Sequence, residues 1–483
     1  MPKNKSNISI GAKASIAYAA SSFISKGTGI ITIPIFTRLL STSEMGVYTT
    51  YISWLAIFEV LTCMGLNSGS FNIGLMKYKN KRKQYLSSIL TLSSFCVLAF
   101  GIIAFLFRRQ LTSFMDIPSK LIFFMMVYLF FSPALNFWMM SERYEYRCKA
   151  VTVINVLSSL LTAALSITSV FYFHSHYPDV DLGYVRIISS YIVPLIICIA
   201  LYFVLMGQGR QYINLQLWKN SLVLSLPLML HSLAKQILDL SDRTMISQLR
   251  GRSEVGIYGV LYSISSLSLI LWTAINASLI PFIFENMKKG KKGEHEINNV
   301  IIPIMLVYGV ACIFLTLIAP EIVRILATKE YYNAIYMMPP VAAGIFFTSL
   351  YNIYSNILLY YEKTTYIMLA TATAAVTNIV LNFMFIPKYG FVAAAYTTLV
   401  AYFLLAIMQG LFVKKIRKEE KNIFNEKVLW VSALFVVLSC LLCNILYLNT
   451  IIRILAIGTL LILLIWKRKP ILKVVKNVLH SSL

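Results

Sequence analysis

The chain is poor in charged residues, and acidic residues are the scarcest of them. Only 13% of its 483 residues are Asp, Glu, Lys or Arg, whereas 58% are hydrophobic, and the mean hydropathy is +0.73. A soluble domain carries about twice that share of charge, because its surface must face water. The composition therefore excludes an ordinary soluble protein and indicates a polytopic membrane protein, whose helices span the bilayer with about 20 apolar residues each.

The sequence also lacks the features on which a membrane enzyme would depend. It has no Walker motif, no HExxH and no glycine-rich dinucleotide loop. No connection between its apolar runs is long enough to hold a catalytic domain, and the paired carboxylates of glycosyl chemistry are missing. We therefore expect a non-enzymatic protein and disfavour an integral-membrane glycosyltransferase or polymerase.

The cysteines and the distribution of charge argue against a bound metal or cofactor and against a nucleic-acid partner. Cys440 and Cys443 form a CxxC, but no second pair or histidine accompanies them, so neither a metal site nor a cofactor is expected. The 43 Lys and Arg residues against 19 acids give a net charge of +24. These cations lie in short loops between apolar runs and form no soluble basic face, so we expect no nucleic-acid partner.

Apolar runs predict an all-α protein with about fourteen transmembrane helices. The basic N-terminus leads into a run that is too long for a signal-peptide core, so we expect it to be retained as the first span. The fourteen runs lie near residues 15–37, 47–68, 86–107, 121–140, 151–173, 184–206, 219–240, 257–282, 300–319, 335–361, 364–386, 391–413, 428–447 and 450–466.

Loop charge predicts the orientation of these spans. With a cytoplasmic N-terminus, the inner loops include KYKNKRK (77–83), ENMKKGKKGEHE (285–296) and the tail WKRKPILKVVK (466–476). The inner side then holds about 29 Lys and Arg and the outer side about 12, which is the asymmetry of the positive-inside rule. The acidic loop HSHYPDVD (174–181) lies outside. Both termini are therefore predicted to be cytoplasmic.

One short phrase occurs twice in the chain. SEMGVY (43–48) follows the first span and SEVGIY (253–258) follows the seventh, 210 residues later. An offset of six spans preserves direction, which is typical of parallel repeats about an axis along the membrane normal. We therefore predict two six-helix bundles, 1–210 and 211–420, related by a pseudo-twofold axis. Residues 421–483 are predicted to add two transmembrane helices and a basic cytoplasmic tail.

Three longer stretches carry a resemblance to a known family. IPIFTRLLSTSEMGVY (33–48), LDLSDRTMISQLRGRSEVGIYGVLY (238–262) and NIVLNFMFIPKYGFVAAAYTTLVAYF (378–403) resemble the polysaccharide and oligosaccharide repeat-unit flippases. These belong to the superfamily shared with multidrug and toxic-compound exporters and lipid II flippases. The resemblance covers nearly the whole chain, and fourteen spans fit the polysaccharide branch better than the twelve typical of drug exporters.

The resemblance implies a substrate and a location. It implies that an undecaprenyl-diphosphate-linked oligosaccharide moves by alternating access across the bacterial cytoplasmic (inner) membrane, for O-antigen, capsule, exopolysaccharide or teichoic acid assembly. Membrane lipids, a polysaccharide polymerase and a chain-length regulator are the further partners expected. A drug–cation antiporter of the same superfamily is the alternative, although such a transporter favours an anionic cavity.

Charges within the spans give the candidate substrate site. Lys26 and Lys235 fall at nearly the same depth once the 210-residue shift is applied. A charge at the centre of a bilayer costs about 2.5–3.5 kcal/mol even on insertion scales, so it must face protein or a wet cavity. We expect these two lysines to bind an anionic head group within a substrate cavity that Asp239, Arg243 and Arg38 also line. The alternative is that Lys235, Asp239 and Arg243, spaced four apart, pair along one helix.

Glu59 is the only acid deep within the first half of the chain. One interpretation makes it a site that couples transport to a H+ or Na+ gradient. The other makes it a structural partner that neutralises Lys26.

Overall fold

The computed structural model describes residues 10–67, 69–145, 147–417 and 423–466, and within them every regular element is helical. The all-α prediction is therefore confirmed. The first half holds α1 (Ile10–Leu39), α2 (Thr42–Thr62), α3 (Gly69–Lys77), α4 (Arg82–Leu106), α5 (Arg108–Met115), α6 (Ser119–Tyr144), α7 (Cys148–His176), α8 (Leu182–Gly209) and α9 (Leu215–Arg250). The rest comprises α10 (Arg252–Ser265), α11 (Leu267–Met287), α12 (Lys291–Leu317), α13 (Ala319–Leu326), α14 (Met338–Tyr360), α15 (Thr364–Tyr389), α16 (Phe391–Ile416), α17 (Glu426–Leu446) and α18 (Thr450–Trp466).

Eleven helices among the described residues are long and apolar enough to cross a membrane. The three other predicted spans coincide with α1, α2 and α18. Polar side chains, including Lys26 and Glu59, interrupt the apolar surface of α1 and α2, and α18 is 17 residues long. The protein is a polytopic helical membrane protein, and the total of fourteen spans stays a prediction.

The predicted eighth span is divided into two helices, α10 and α11, at Ser266. Three serine hydroxyls near this point donate to carbonyls of the preceding turn: Ser263 to Gly259, Ser265 to Leu261 and Ser266 to Ser263. Such back-bonding by serine bends helices, which explains why the predicted eighth span, with its cluster of serines, does not form one straight element.

The chain folds into two compact units, Met1–Ile237 (unit 1) and Leu238–Leu483 (unit 2). The dividing point lies within α9, whose 36 residues extend for about 54 Å, well beyond the roughly 30 Å apolar core of a bilayer. The predicted division at 210/211 falls in the short connection between α8 and α9. That division, the separate third part and the pseudo-twofold axis stay predictions.

Helix packing follows the same order in each unit. In unit 1, α8 packs against α6 and α7, and α4 packs against α6. In unit 2, α16 packs against α14 and α15, and α12 packs against α14. The helices α17 and α18 pack on α12, and the buried Arg453 of α18 forms an ion pair with Glu321 of α13. Both C-terminal helices therefore contact the rest of unit 2, with α17 packed against it and α18 largely exposed.

The repeated phrase places one carboxylate in the same role in both units. Glu44 is the third residue of α2, and its side chain accepts hydrogen bonds from the backbone N–H of Ser41 (2.8 Å) and of Leu182 (2.8 Å), the first residue of α8. Glu254 is the third residue of α10 and accepts from the backbone N–H of Phe391 (3.2 Å), the first residue of α16. The first N–H groups of a helix have no partner within the helix, so each glutamate ties two helix starts together.

A glycine stands beside each of these glutamates. A Cβ on Gly183 would lie 2.6 Å from the backbone oxygen of Glu44, and one on Gly390 would lie 3.0 Å from Oε2 of Glu254. Gly390 also has a φ of +65°, which disfavours other residues. The hydrogen bonds of Glu44 and Glu254 therefore depend on small residues at the start of α8 and α16.

We expect Glu44→Ala and Glu254→Ala each to reduce the free energy of unfolding by about 1–2 kcal/mol, because two helix-start N–H groups lose their acceptor in the first variant and one in the second. Thermal unfolding of the purified protein in detergent, followed by size-exclusion chromatography, measures the change. Glu285→Ala is the matched control, since Glu285 is exposed and makes no such hydrogen bond in the described chain. Equal melting temperatures for all three variants would contradict this role.

Cysteine labelling tests the orientation that loop charge predicts. In a cysteine-free background, Lys292→Cys in the 285–296 loop should be protected from an impermeant maleimide in intact cells. Ser175→Cys in the exposed end of α7 should react. The opposite pattern would show that the predicted orientation is inverted. Protection of both positions would show that the predicted number of spans between them is wrong.

Candidate functional site

Lys26 lies on an exposed stripe of α1. Ser22, Lys26 and Gly29, three to four residues apart, are all exposed, as the helical spacing of the sequence predicts. Ser25, beside this stripe, accepts a hydrogen bond from Ser159 of α7 (2.7 Å). The helix α1 therefore packs on α7 next to the exposed stripe. Among the residues that the structure describes, the Lys26 ammonium forms no ion pair or hydrogen bond. Within the described part of the chain, α1 thus presents a lysine that no carboxylate pairs with.

Glu59 of α2 is directed towards α6. Its Oε1 accepts a hydrogen bond from Nδ2 of Asn136 at 3.0 Å, and the residue is only partly exposed. No ion pair joins Glu59 to Lys26 within residues 10–67 and 69–145. The interpretation that Glu59 neutralises Lys26 therefore has no support in the geometry.

Unit 2 contains a neutral pair in a comparable place. Asn356 of α14 donates to Oδ1 of Asn276 of α11 at 2.9 Å. This amide pair links α14 to α11 as Asn136 and Glu59 link α6 to α2. The two units thus differ in one respect that matters chemically, because only unit 1 has an ionisable group in its pair.

Lys235, Asp239 and Arg243 lie along α9 and are all partly buried. Asp239 accepts a hydrogen bond from the Tyr402 hydroxyl of α16 at 2.7 Å. The Arg243 guanidinium lies 5.2 Å from the ring centroid of Tyr262, within range of a cation–π contact. Asp239 and Arg243 therefore contact tyrosines of unit 2. The alternative of pairing along α9 did not include these tyrosines.

Asp242 is a buried carboxylate that the sequence interpretation missed. Its side chain is 1% exposed and accepts from the Tyr258 hydroxyl and from the backbone N–H of Arg243 (2.7 Å). Tyr258 is the last residue of the repeated phrase, so the second copy of that phrase is anchored to α9. Asp242 and Arg243 are adjacent in the stretch LSDRT (240–244) of the sequence. Their spacing along α9 did not reveal that Tyr258 is the partner of Asp242.

A buried amide–hydroxyl network continues from α9 into α15 and α16. Ser241 donates to Oδ1 of Asn378, which also accepts from Nδ2 of Asn382 at 3.0 Å. Asn378 Nδ2 donates to Thr398, and Thr397 donates to Asn382. Both asparagines are fully buried. These bonds satisfy the Asn-x3-Asn motif internally and fix the relative rotation of three helices of unit 2.

Two arginines, Arg38 and Arg186, lie near SEMGVY (43–48), the copy of the repeated phrase in unit 1. Arg38 is exposed in the last turn of α1 and donates through Nη1 to the carbonyl of Pro34 at 2.5 Å, as basic residues at helix ends often do. Arg186 of α8, which the sequence interpretation missed, is buried with its guanidinium 3.7 Å from the Tyr48 ring and 4.0 Å from the Phe36 ring. Arg186 joins α1, α2 and α8, whereas Arg38 remains exposed.

Lys26 has the chemistry to recognise an anion. Lys26 offers three N–H donors at an exposed position, which is how a lysine binds phosphate as a point charge. No group of three or more His, Cys, Asp or Glu residues suited to a metal is present in the part of the chain that the structure describes. Binding of Lys26, Lys235, Asp239, Arg243 or Arg38 to a substrate stays a prediction.

Comparison with known families gives two matches. The family described as "Polysaccharide biosynthesis protein" matches residues 12–287, more than half of the chain, and the family described as MatE matches residues 227–384. An uncharacterized membrane protein of Methanocaldococcus jannaschii (MJ1068) is 26% identical over 165 residues. That match covers 34% of this chain and 32% of the relative, so the chain aligns with about a third of that protein's length.

Solved structures share the fold at low identity. A lipid II flippase MurJ in an inward closed conformation superposes with a TM-score of 0.70 at 18% identity, covering 94% of this chain and 100% of that one. An inward-facing multidrug resistance transporter of the MATE family gives a TM-score of 0.62 at 12% identity, covering 84% of this chain and 100% of the other. The chain therefore shares its fold with both of these proteins.

Proposed function

Because the chain belongs to the polysaccharide biosynthesis protein family, we propose that it is a flippase for an undecaprenyl-diphosphate-linked oligosaccharide. It carries this lipid-linked repeat unit from the inner to the outer leaflet of the bacterial cytoplasmic membrane, with both termini cytoplasmic. The product feeds assembly of a surface polysaccharide such as O-antigen, capsule, exopolysaccharide or teichoic acid, with a polymerase and a chain-length regulator acting downstream.

The observation that carries this proposal is the exposed Lys26, which has no carboxylate partner among the described residues. A buried or membrane-embedded cation is costly unless something pairs with it. The diphosphate of a lipid-linked sugar is an anion of the right chemistry, and Lys235 supplies a second cation in α9. A fold shared with a lipid II flippase supports alternating access as the mechanism.

We further propose that Glu59 couples transport to a H+ or Na+ gradient. Its carboxylate is held by a single neutral amide, Asn136, so it can change protonation or bind a cation without breaking an ion pair. The matching amide pair in unit 2, Asn276 and Asn356, cannot perform this step.

A drug–cation antiporter is the second candidate function. The match of the MatE family to residues 227–384 favours it. A cationic drug would be repelled by Lys26, however, and this disfavours the antiporter as the main activity.

Reconstitution in liposomes tests the flippase proposal. Proteoliposomes loaded with a fluorescent undecaprenyl-diphosphate oligosaccharide should expose it to an impermeant quencher or glycosidase only when the protein is present. Transport of ethidium without movement of the lipid-linked sugar would instead establish the antiporter.

A further inference from the structure

A deep apolar groove lies between α4, α5 and α6 of unit 1, apart from the charged residues discussed above. Its volume is about 730 Å³, within the range of sites that hold small ligands. Its walls are built from apolar side chains of two spanning helices, among them Leu98, Ile102 and Phe105 of α4 and Phe123 and Phe130 of α6. Leu98, Ile102, Phe105 and Phe123 are all more than half exposed, so the groove opens on an apolar surface of unit 1, and exposed apolar patches of this kind mark contact with a membrane or a partner.

Gly101 makes room for this groove. Glycine within a helix is destabilising by roughly 1 kcal/mol relative to alanine, and it often serves close packing of two backbones. A Cβ added to Gly101 would meet nothing within 4 Å, so close packing does not explain this glycine. The missing side chain instead leaves open the space between α4 and α6.

Two cations stand at one end of the groove. Arg108, the first residue of α5, and Lys120, in the first turn of α6, both line it and are both exposed. Among the described residues, the guanidinium of Arg108 contacts only the Phe105 ring, at 5.1 Å, and the Lys120 ammonium has no partner. Apolar walls that end at two cations complement a molecule with a hydrocarbon chain and an anionic head.

We propose that this groove binds an anionic phospholipid of the surrounding bilayer, with an acyl chain along α4 and α6 and the phosphate between Arg108 and Lys120. The side chains of α5 support this placement, since Met115 is buried while Arg108 and Arg109 are exposed, as in a helix lying along a membrane interface. The orientation predicted from loop charge puts α5 at the outer surface, so the lipid belongs to the outer leaflet. The bilayer itself supplies this ligand, which makes the site independent of the transported cargo.

Photo-crosslinking of the full-length protein tests this assignment. The probes are a phosphatidylglycerol and a phosphatidylcholine, each with a diazirine at the end of one acyl chain, in phosphatidylcholine liposomes. Phosphatidylglycerol should label peptides within residues 97–106 and 119–131 several-fold more than phosphatidylcholine. Each cation near a membrane surface contributes about a fivefold preference for an anionic lipid.

Two sets of variants, each with its control, separate recognition of the lipid head group from the room that the groove offers to the acyl chain. Arg108→Gln with Lys120→Gln should abolish the preference for phosphatidylglycerol, whereas Arg109→Gln, on the same helix but outside the groove, should retain it. Gly101→Leu should reduce labelling by both lipids at least threefold, because the side chain fills the groove. Gly207→Leu is its control, since Gly207 is an exposed helical glycine that also has nothing within 4 Å.

Equal labelling by the two lipids in the wild type, or unchanged labelling in Gly101→Leu, would overturn the proposal. So would displacement of the probe by an equal concentration of undecaprenyl diphosphate, which would assign the groove to the cargo. Binding is measured without transport, so the result leaves the flippase proposal to its own test.

Discussion

Replacing both Lys26 and Lys235 with glutamine is expected to reduce export of the lipid-linked oligosaccharide at least tenfold while the protein still folds and inserts. Glutamine keeps much of the length and polarity of lysine but removes its charge. A hydrogen bond to a charged group contributes about 1.5–3 kcal/mol, which corresponds to a factor of roughly 10–100 for each hydrogen bond to phosphate that is removed. Folding should be preserved, because a neutral side chain is less costly in the membrane than lysine.

Complementation of a flippase-deficient strain measures this effect, with protein levels checked by immunoblot. Lys26→Arg and Lys235→Arg should retain more activity than the glutamine variants, since arginine keeps the charge. Lys149→Gln is the matched control, because Lys149 is exposed in the first turn of α7. Full activity of the double glutamine variant would reject the cationic site, although not the flippase assignment.

A second variant distinguishes substrate binding from simple neutralisation. If Lys26 existed only to balance Glu59, then Glu59→Gln would rescue Lys26→Gln. The structure gives Glu59 the amide of Asn136 as its partner, and no ion pair joins it to Lys26 among the described residues. We therefore expect no rescue.

The spans could be predicted from the sequence because hydropathy and helical period report directly on length and exposed faces. Ser22, Lys26 and Gly29 recur at helical spacing, and the structure places all three on one exposed stripe of α1. The break at Ser266 could not be predicted in the same way. Serines also occur within continuous transmembrane helices, so their presence at the break did not by itself show that hydroxyl bonding would divide α10 from α11.

The interaction partners of the charged residues were harder to predict from the sequence than the spans. A spacing of four residues along α9 predicts which side chains share a face, and it left open whether Asp239 and Arg243 pair along the helix or line a cavity. It does not reveal that Asp239 also accepts a hydrogen bond from Tyr402 of α16, or that Arg243 lies over the ring of Tyr262 of α10, because these contacts depend on how the helices pack. The repeated phrase was informative for a different reason, because Glu44 and Glu254 make the same type of hydrogen bond in two units.

Glu59→Gln is expected to abolish the stimulation of flipping by an imposed H+ or Na+ gradient, lowering the gradient-driven rate about tenfold, while downhill movement of the lipid-linked sugar persists. Glutamine keeps a carbonyl oxygen that can accept the hydrogen bond from Asn136, but it cannot take up a proton or attract a cation by charge. Proteoliposomes with a pH or sodium gradient of either direction measure the two rates separately. A tenfold change in rate corresponds to about 1.4 kcal/mol of activation free energy.

The amide pair of unit 2 predicts that this variant will fold. Asn276 and Asn356 join α11 and α14 without any charge, so a neutral pair is compatible with helices packed in this way. Asp179→Asn, in the exposed 174–181 loop, is the matched control and should keep its response to the gradient. If Glu59→Gln retains the same stimulation as the wild type, Glu59 is a structural acceptor for Asn136 and the coupling group lies elsewhere. If both the stimulation and the downhill rate disappear from a folded protein, Glu59 serves the transport path itself, because loss of coupling alone leaves passive movement intact.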